Sequence, residues 1–248
     1  MSLLKMWPLG LVGLLATSCI DSGQERTSFL LSANGSPIDG PIAARNDWQI
    51  ELDTANLAFG PFYLCASRTA DTLCDIAQAE WLDSVIIDAL NAEPAALGEV
   101  LAIEGTIRSY MYDLGYSWPN DQSAPTATAA GANLGASVQL SGIAYRDDIT
   151  IPFSALVSTA SNTAGSVTFS SQSSYHTITS AEPGLLLTFD PSLWVDDVDF
   201  DVFLNEDGTF TAEEGVVFAE DTQPYRAVVS GLVAGDGPLF SWNGALAP

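Results

Sequence analysis

Lysine is almost missing from this chain. Lys5 is the only one, and six arginines, at 26, 45, 68, 108, 146 and 226, bring the basic residues to seven against 31 acidic, a net charge of −24. The arginines are scattered, so no basic stripe exists to meet a nucleic-acid backbone or an anionic headgroup surface. Histidine occurs once, at His176, which excludes a zinc site built from several histidines. No Gly-x-Ser-x-Gly elbow is present, so the usual strand–turn–helix setting of a nucleophilic serine is lacking. No apolar run reaches the ~18–20 residues that a membrane-crossing helix requires. Disorder is excluded from the other side, because hydrophobic residues make up 47% of the chain and can bury a core. No repeat period is evident, which argues against a propeller or solenoid.

The first nineteen residues have a distinct composition. Lys5 precedes an apolar stretch, Trp7 to Leu15, interrupted by Pro8, Gly10 and Gly13. Its length suits a signal peptide and is too short for a span. It ends in Leu15-Ala16-Thr17-Ser18-Cys19, and the segment Ala16-Thr17-Ser18-Cys19 resembles the lipobox of exported bacterial lipoproteins. The resemblance implies that residues 1–18 are a signal peptide, that the Cys19 thiol takes a diacylglycerol, and that its new amine is acylated. It further implies a bilayer as partner through those chains, since two or three chains anchor stably where one does not. Ile20, not Asp, follows Cys19, which by the same resemblance points to the outer rather than the inner membrane of the envelope. Residues 19–27 are then a polar, lipid-anchored tether, and 28–248 a single β domain with a possible seam at 119–136, where Pro, Ala, Thr and Gly are dense. Loss of Lys5 with the signal leaves six arginines against 31 acids, a net of −25.

Cys65 and Cys74 remain, an even pair in an exported chain, and a disulfide between them is expected. Closing a loop of that size stabilises by about 2–3 kcal/mol in the chain-entropy description.

Strand signals dominate the domain. Trp48-Gln-Ile-Glu-Leu52 alternates apolar and polar, as a half-buried strand does. Similar strands are expected at 28–33, 57–59, 62–65, 81–88, 99–104, 106–112, 137–140, 149–151, 153–157, 167–169 and 185–189. The last are expected at 216–218, 225–229 and 239–242. Helix is expected only as short turns, over 75–80 and over 191–195 with Asp190 as N-cap and Pro191 at N1. Short strands with Gly and Pro turns predict an all-β fold, an antiparallel sandwich of immunoglobulin or prealbumin type. Over roughly residues 48–116, Ile87-Asp88-Ala-Leu90 followed by Gly105-Thr-Ile-Arg-Ser-Tyr-Met-Tyr-Asp-Leu-Gly115 is similar to uncharacterised envelope lipoproteins of Gram-negative bacteria. The same layout resembles the prealbumin-type sandwich lipoproteins, some of which take up copper. Beyond the signal, however, one His, Met111 and a paired Cys65 and Cys74 are a poor ligand set for copper, so no cofactor is carried over.

Four groups of residues invite a chemical reading. His176 with Ser173 or Ser174 and a nearby Asp spells a triad on paper, but the plainer reading is a polar strand or loop residue. Carboxylate pairs for glycoside hydrolysis arise freely among 31 acids and carry no signal. Asp197-x-Asp199-x-Asp201 has the oxygen spacing of a calcium loop. Val202 then stands where an EF-hand needs Gly, and Gly208 where it needs Glu. The favoured reading is a strand over 198–205 with one solvated acidic face. Finally, Trp48, Trp81, Trp118, Trp194 and Trp242, with Tyr110, Tyr112 and Tyr116, form either a core or a sugar-binding platform. The reading taken forward is a membrane-anchored, non-enzymatic binding or structural domain with an envelope protein or glycan partner and no nucleic acid. A glycan- or metal-binding lipoprotein serving outer-membrane uptake stands second, and a carboxylate-pair hydrolase third.

Self-repulsion among so many like charges opposes compaction, and salt screens it over ~8 Å at 0.15 M and ~3 Å at 1 M. The melting temperature of the domain is therefore expected to rise with sodium chloride from a few millimolar upward, most of the gain appearing by moderate salt. A melting temperature indifferent to salt contradicts this.

Overall fold

In the computed structural model the described residues are 25–67, 77–117, 124–160, 167–169, 176–180, 184–212, 214–234 and 237–242. The chain enters β1 (Arg26–Gly35) and passes through β2 (Ile42–Ala43) and a 3-10 turn (Arg45–Asp47) into β3 (Gln49–Phe59). Next come β4 (Phe62–Cys65), β5 (Ala77–Trp81), β6 (Val85–Asp88), β7 (Ala95–Ile103), β8 (Gly105–Ile107) and β9 (Ser109–Tyr112). A small pair, β10 (Tyr116–Ser117) and β11 (Thr126–Ala127), leads to α1 (Ala129–Leu134) and the hairpin of β12 (Val138–Arg146) and β13 (Ile149–Val157). After β14 (Val167–Phe169), β15 (His176–Ile178) and β16 (Leu185–Phe189) come α2 (Ser192–Val195) and a 3-10 turn (Phe200–Phe203). The chain then forms β17 (Val216–Val217), α3 (Gln223–Ala234) and β18 (Leu239–Trp242).

These strands make an all-β, sandwich-like fold. The larger sheet has the order β14-β9-β4-β5-β7-β1-β16-β18. The smaller runs β17-β13-β12-β3-β2, and β6 pairs with the far half of the same edge of β3. Two pairings, β1 with β16 and β13 with β17, are parallel. Binary patterning explains the smaller sheet. In β12 and β13 the side chains of Val138, Leu140, Ala144, Ile151, Phe153, Ala155 and Val157 are buried, and the alternate residues are not. The sheets meet at Phe59, the last residue of β3. Its ring lies 5.2 Å from Phe189, 5.4 Å from Tyr112, 5.9 Å from Phe62 and 6.1 Å from Trp81, all on the larger sheet. One hydrophobic cluster takes in strands on both sides of residues 119–136. Ser137 reinforces that junction, its buried hydroxyl donating to the Leu114 carbonyl at 2.6 Å.

Several local expectations are corrected. Residues 225–229 are helical, not a strand. Tyr225, Val228, Val229 and Leu232 recur at helical spacing and are buried, and Pro224 is accommodated in the first turn, where it forfeits no helical hydrogen bond. Within 119–136, α1 forms over 129–134. The Thr128 hydroxyl accepts from Gly131 N, and Gly135 closes the helix at φ 75°. The helix expected at 75–80 is a strand from Ala77 on, because pairing with β4 and β7 overrides the local preference of Ala, Gln and Glu for helix. Residues 198–205 form no strand; 200–203 are a 3-10 turn. Asp190 does brace α2, accepting from Ser192 N and Oγ, although Pro191 holds the cap position. The first strand begins at Arg26, two residues before the expected start of the domain at Ser28. No helix among the described residues is long and apolar enough to cross a membrane.

Helices α2 and α3 touch at Gly231, where an added Cβ would stand 2.4 Å from the Leu193 carbonyl oxygen. In a free helix, Gly231→Ala would stabilise by about 1 kcal/mol through propensity. Here it is expected to destabilise, lowering the urea midpoint, because the two backbones must part. A midpoint that rises shows the contact to be looser than described.

Candidate functional site

The acid-dense segment is shaped from within. The Asp199 carboxylate accepts the amide of Asp201 at 3.0 Å and so turns the backbone into the 3-10 turn. Gln223 on α3 holds the same stretch twice: its Oε1 accepts from Asp199 N at 2.9 Å, and its Nε2 donates to the Asp197 carbonyl at 2.9 Å. Phe200 is thereby buried between Trp48, at 5.6 Å, and Phe153, at 5.3 Å.

That turn presents Asp201 to the loop before β3. Asn46 and Asp47 there have φ of 56° and 65°, the left-handed region that Asn and Asp tolerate better than most residues. Asn46 Nδ2 donates to Asp199 Oδ1 at 3.1 Å and to Asp201 Oδ2 at 3.0 Å. Trp48 Nε1 donates to Asp201 Oδ1 at 3.1 Å. Arg146, at the end of β12, is 2.6 Å from the same oxygen through Nη2 and donates to the Asn46 carbonyl through Nη1 at 2.9 Å. Its guanidinium lies 4.5 Å above the Trp48 ring. Burial by itself would raise the Asp201 pKa. The hydrogen bonds of Arg146 and Trp48, the charge of Arg146 and the Asn46 amide outweigh burial and hold the carboxyl below its usual range.

The structure thus brings Asp199 and Asp201 together and leaves Asp197 outside, in an exposed pair with Arg45 at 3.7 Å. Such a pair contributes little in water. Both oxygens of Asp201 and one of Asp199 already accept from protein donors, so a cation would have to displace Arg146 and Asn46 to reach them. Among the described residues no three His, Cys, Asp or Glu side chains are grouped to hold an ion. Sequence reading singles out Trp48 only as a core or platform aromatic and does not point to Asn46, Arg146 or Gln223 as partners of Asp201. The one local signal was the polar Arg45-Asn46-Asp47 triplet, a turn former with no stated partner.

The other candidates fall in separate places. Trp48, Trp81 and Trp194 are buried, as are Tyr110 and Tyr112, while Tyr116 is half-buried. Trp242 is half-buried, and His176 stacks on it at 4.0 Å with the rings nearly parallel. Trp118, Ser173 and Ser174 lie outside the described residues, as do Cys19 and Cys74. Cys65 is buried at the end of β4 and is disulfide-bonded. Met111 is buried in β9. Asp113 is 2% exposed. The Tyr63 hydroxyl has its pKa raised by burial first, then by the charges of Asp113 and Glu80. An open groove of about 350 Å³ runs between residues 37–43 and the start of α2, with Asp39, Asp190 and Asp196 on its walls.

This chain matches no known protein-family model, no curated protein and no solved structure with which it was compared.

Replacing Asp201 by Ala is expected to destabilise by about 1–2 kcal/mol, since one acceptor serves several donors and the site is only partly buried. The acid limb carries the sign. A carboxyl whose folded pKa lies below its unfolded value of ~3.9 contributes fully above that value and ceases to contribute as pH falls through the folded pKa. The stability gap between the natural chain and Asp201→Asn should therefore be widest near neutral pH and narrow below about pH 4. Chemical denaturation of both proteins at several pH values reads this directly. A gap independent of pH contradicts the assignment.

Proposed function

We propose that this chain is an exported, lipid-anchored envelope protein whose β-sandwich is a non-enzymatic binding or structural module. One observation carries the reading: Ala16-Thr17-Ser18-Cys19 ends an apolar stretch of signal-peptide length, only six residues before the first strand of the domain. The strongly acidic mature chain adds to it, because a net of −25 disfavours nucleic acid as a partner. A bond from Cys65 to Cys74 fits an oxidising compartment and is part of the proposal. By the residue after Cys19, the outer membrane is the proposed destination.

The competing readings draw less support. A sugar platform needs exposed aromatics, and Trp48 just before β3, Trp81 on β5 and Trp194 in α2 are spent on the core. A calcium role for Asp197, Asp199 and Asp201 competes with the donors already on two of them. A carboxylate-pair hydrolase rests on the abundance of acids alone.

Cys19→Ala is expected to abolish incorporation of labelled fatty acid and to leave the precursor uncut. Normal cleavage of that variant would mean a conventional signal peptide and a freely diffusing product. In the natural protein, alkylation without reductant is expected to leave Cys65 and Cys74 unmodified. Full labelling of both contradicts the bond.

A further inference from the structure

We propose that the groove between residues 37–43 and α2 receives a short, extended, basic segment of a partner protein, which pairs with β2 and sets a lysine or arginine among Asp39, Asp190 and Asp196. The inference rests on the reading of this domain as a binding module and adds the chemistry of the partner. The groove is open and holds about 350 Å³, toward the lower end of the ~300–1,000 Å³ of small-ligand pockets. That is room for a few side chains and not for a folded ligand. Pro37, Ile38, Pro41 and Ile42 supply its apolar surface. The methylene stem of a lysine or arginine suits such a surface while its charged head stays at the rim.

Charge and strand pairing select this occupant independently. Neither salt bridge among the described residues reaches the three carboxylates of the groove. Asp39 and Asp196 are exposed. Asp190 spends one oxygen, Oδ1, on Ser192 N and Oγ, which leaves Oδ2 for an outside donor. The second observation is the strand edge. β2 ends the smaller sheet. Ala44 N donates to the Trp48 carbonyl at 2.8 Å, and Ile42 is in register with Ile50. In such an antiparallel ladder the residue between them, Ala43, turns its N–H and carbonyl away from β3. Ala43 is exposed and lines the groove. A strand laid there gains main-chain bonds from Ala43, and its alternate side chains face one wall. Pro41, with no N–H, keeps the edge short, so a segment of a few residues suffices. A bare metal ion would use the carboxylates but not the strand edge.

The test uses the full chain in neutral detergent and the pentapeptide Val-Lys-Val-Lys-Val, acetylated at one end and amidated at the other. Binding is expected to shift the Gly40 and Ala43 amides in a nitrogen–proton spectrum and to slow solvent exchange at Ala43. Asp39→Asn with Asp196→Asn, both at exposed positions, is expected to weaken the peptide about tenfold, as the loss of two surface ion pairs can. Glu80→Gln with Glu99→Gln removes as much charge from exposed positions on β5 and β7 of the other sheet. It is expected to change the affinity less than about twofold. An equal loss in both variants means diffuse attraction to an acidic surface and overturns the proposal. So does equal binding of the peptide with both lysines acetylated, or a set of shifts that spares Ala43. Sub-millimolar calcium binding that the Asp39 and Asp196 substitutions abolish makes the groove a metal site and overturns it as well. Absence of peptide binding overturns this inference alone, because the lipid anchor stands or falls separately on fatty-acid labelling of Cys19.

Discussion

Arg146 sits between the face of Trp48 and the carboxylate of Asp201, and it reaches the backbone of Asn46 with its second arm. In a chain with 31 acidic residues and seven basic ones, such a placement is the governing constraint. A segment as acidic as 190–207 repels itself, and salt at 0.15 M screens its charges only beyond about 8 Å. Here one guanidinium, one indole N–H and one carboxamide converge on a single aspartate and convert a repulsive stretch into a fastener. Because Arg146 ends β12 and Trp48 precedes β3, the fastener closes one end of the smaller sheet. The turn at 200–203 then drops Phe200 onto Trp48 and Phe153, and Phe218 stacks on Phe153 at 5.3 Å. Polar closure and apolar packing are thus one unit: without the turn set by Asp199, Phe200 would not face the sheet.

The two sheets are joined by a different device. Phe59 gathers rings from four residues of the larger sheet, and aromatic contacts of this kind contribute about 0.5–1.5 kcal/mol each beyond their buried area. The fold therefore has one aromatic junction between layers and a second beneath the acidic segment. Both consume the large side chains that a ligand platform would have needed. Among the described residues, what remains exposed mixes acidic groups with aliphatic side chains such as Leu82, Leu101 and Val217, and the described tryptophans are buried or half-buried.

How much of this was legible depended on whether the cause was local. The alternation in Trp48–Leu52 and Ile149–Val157 announces half-buried strands, and both are strands. Tyr225–Val229 was misread because five residues contain too little of a 3.6-residue period to separate it from a strand of β-branched residues; the buried set extends to Leu232. Val198–Asn205 alternates as a strand would, yet a side-chain-to-backbone bond from Asp199 bends it into a turn. Ala77–Trp81 has helix-favouring residues and is a strand because neighbours pair on both sides. The acidic clasp was beyond reach altogether. Its donors Asn46 and Trp48 stand 155 and 153 residues from Asp201, and neither spacing nor composition records such a contact. Sequence supplied the acids and left open what they bind.

Asp201 is occupied by the protein's own donors, and the Trp48 indole proton reports on this most directly. In a nitrogen–proton spectrum of the folded domain, that proton is expected to resist exchange with solvent. It is also expected to keep its position as calcium is raised at constant ionic strength. A fast-exchanging Trp48 indole, or one that shifts with sub-millimolar calcium and not with magnesium, would show that the carboxylates serve a cation and that the fastener has been misassigned.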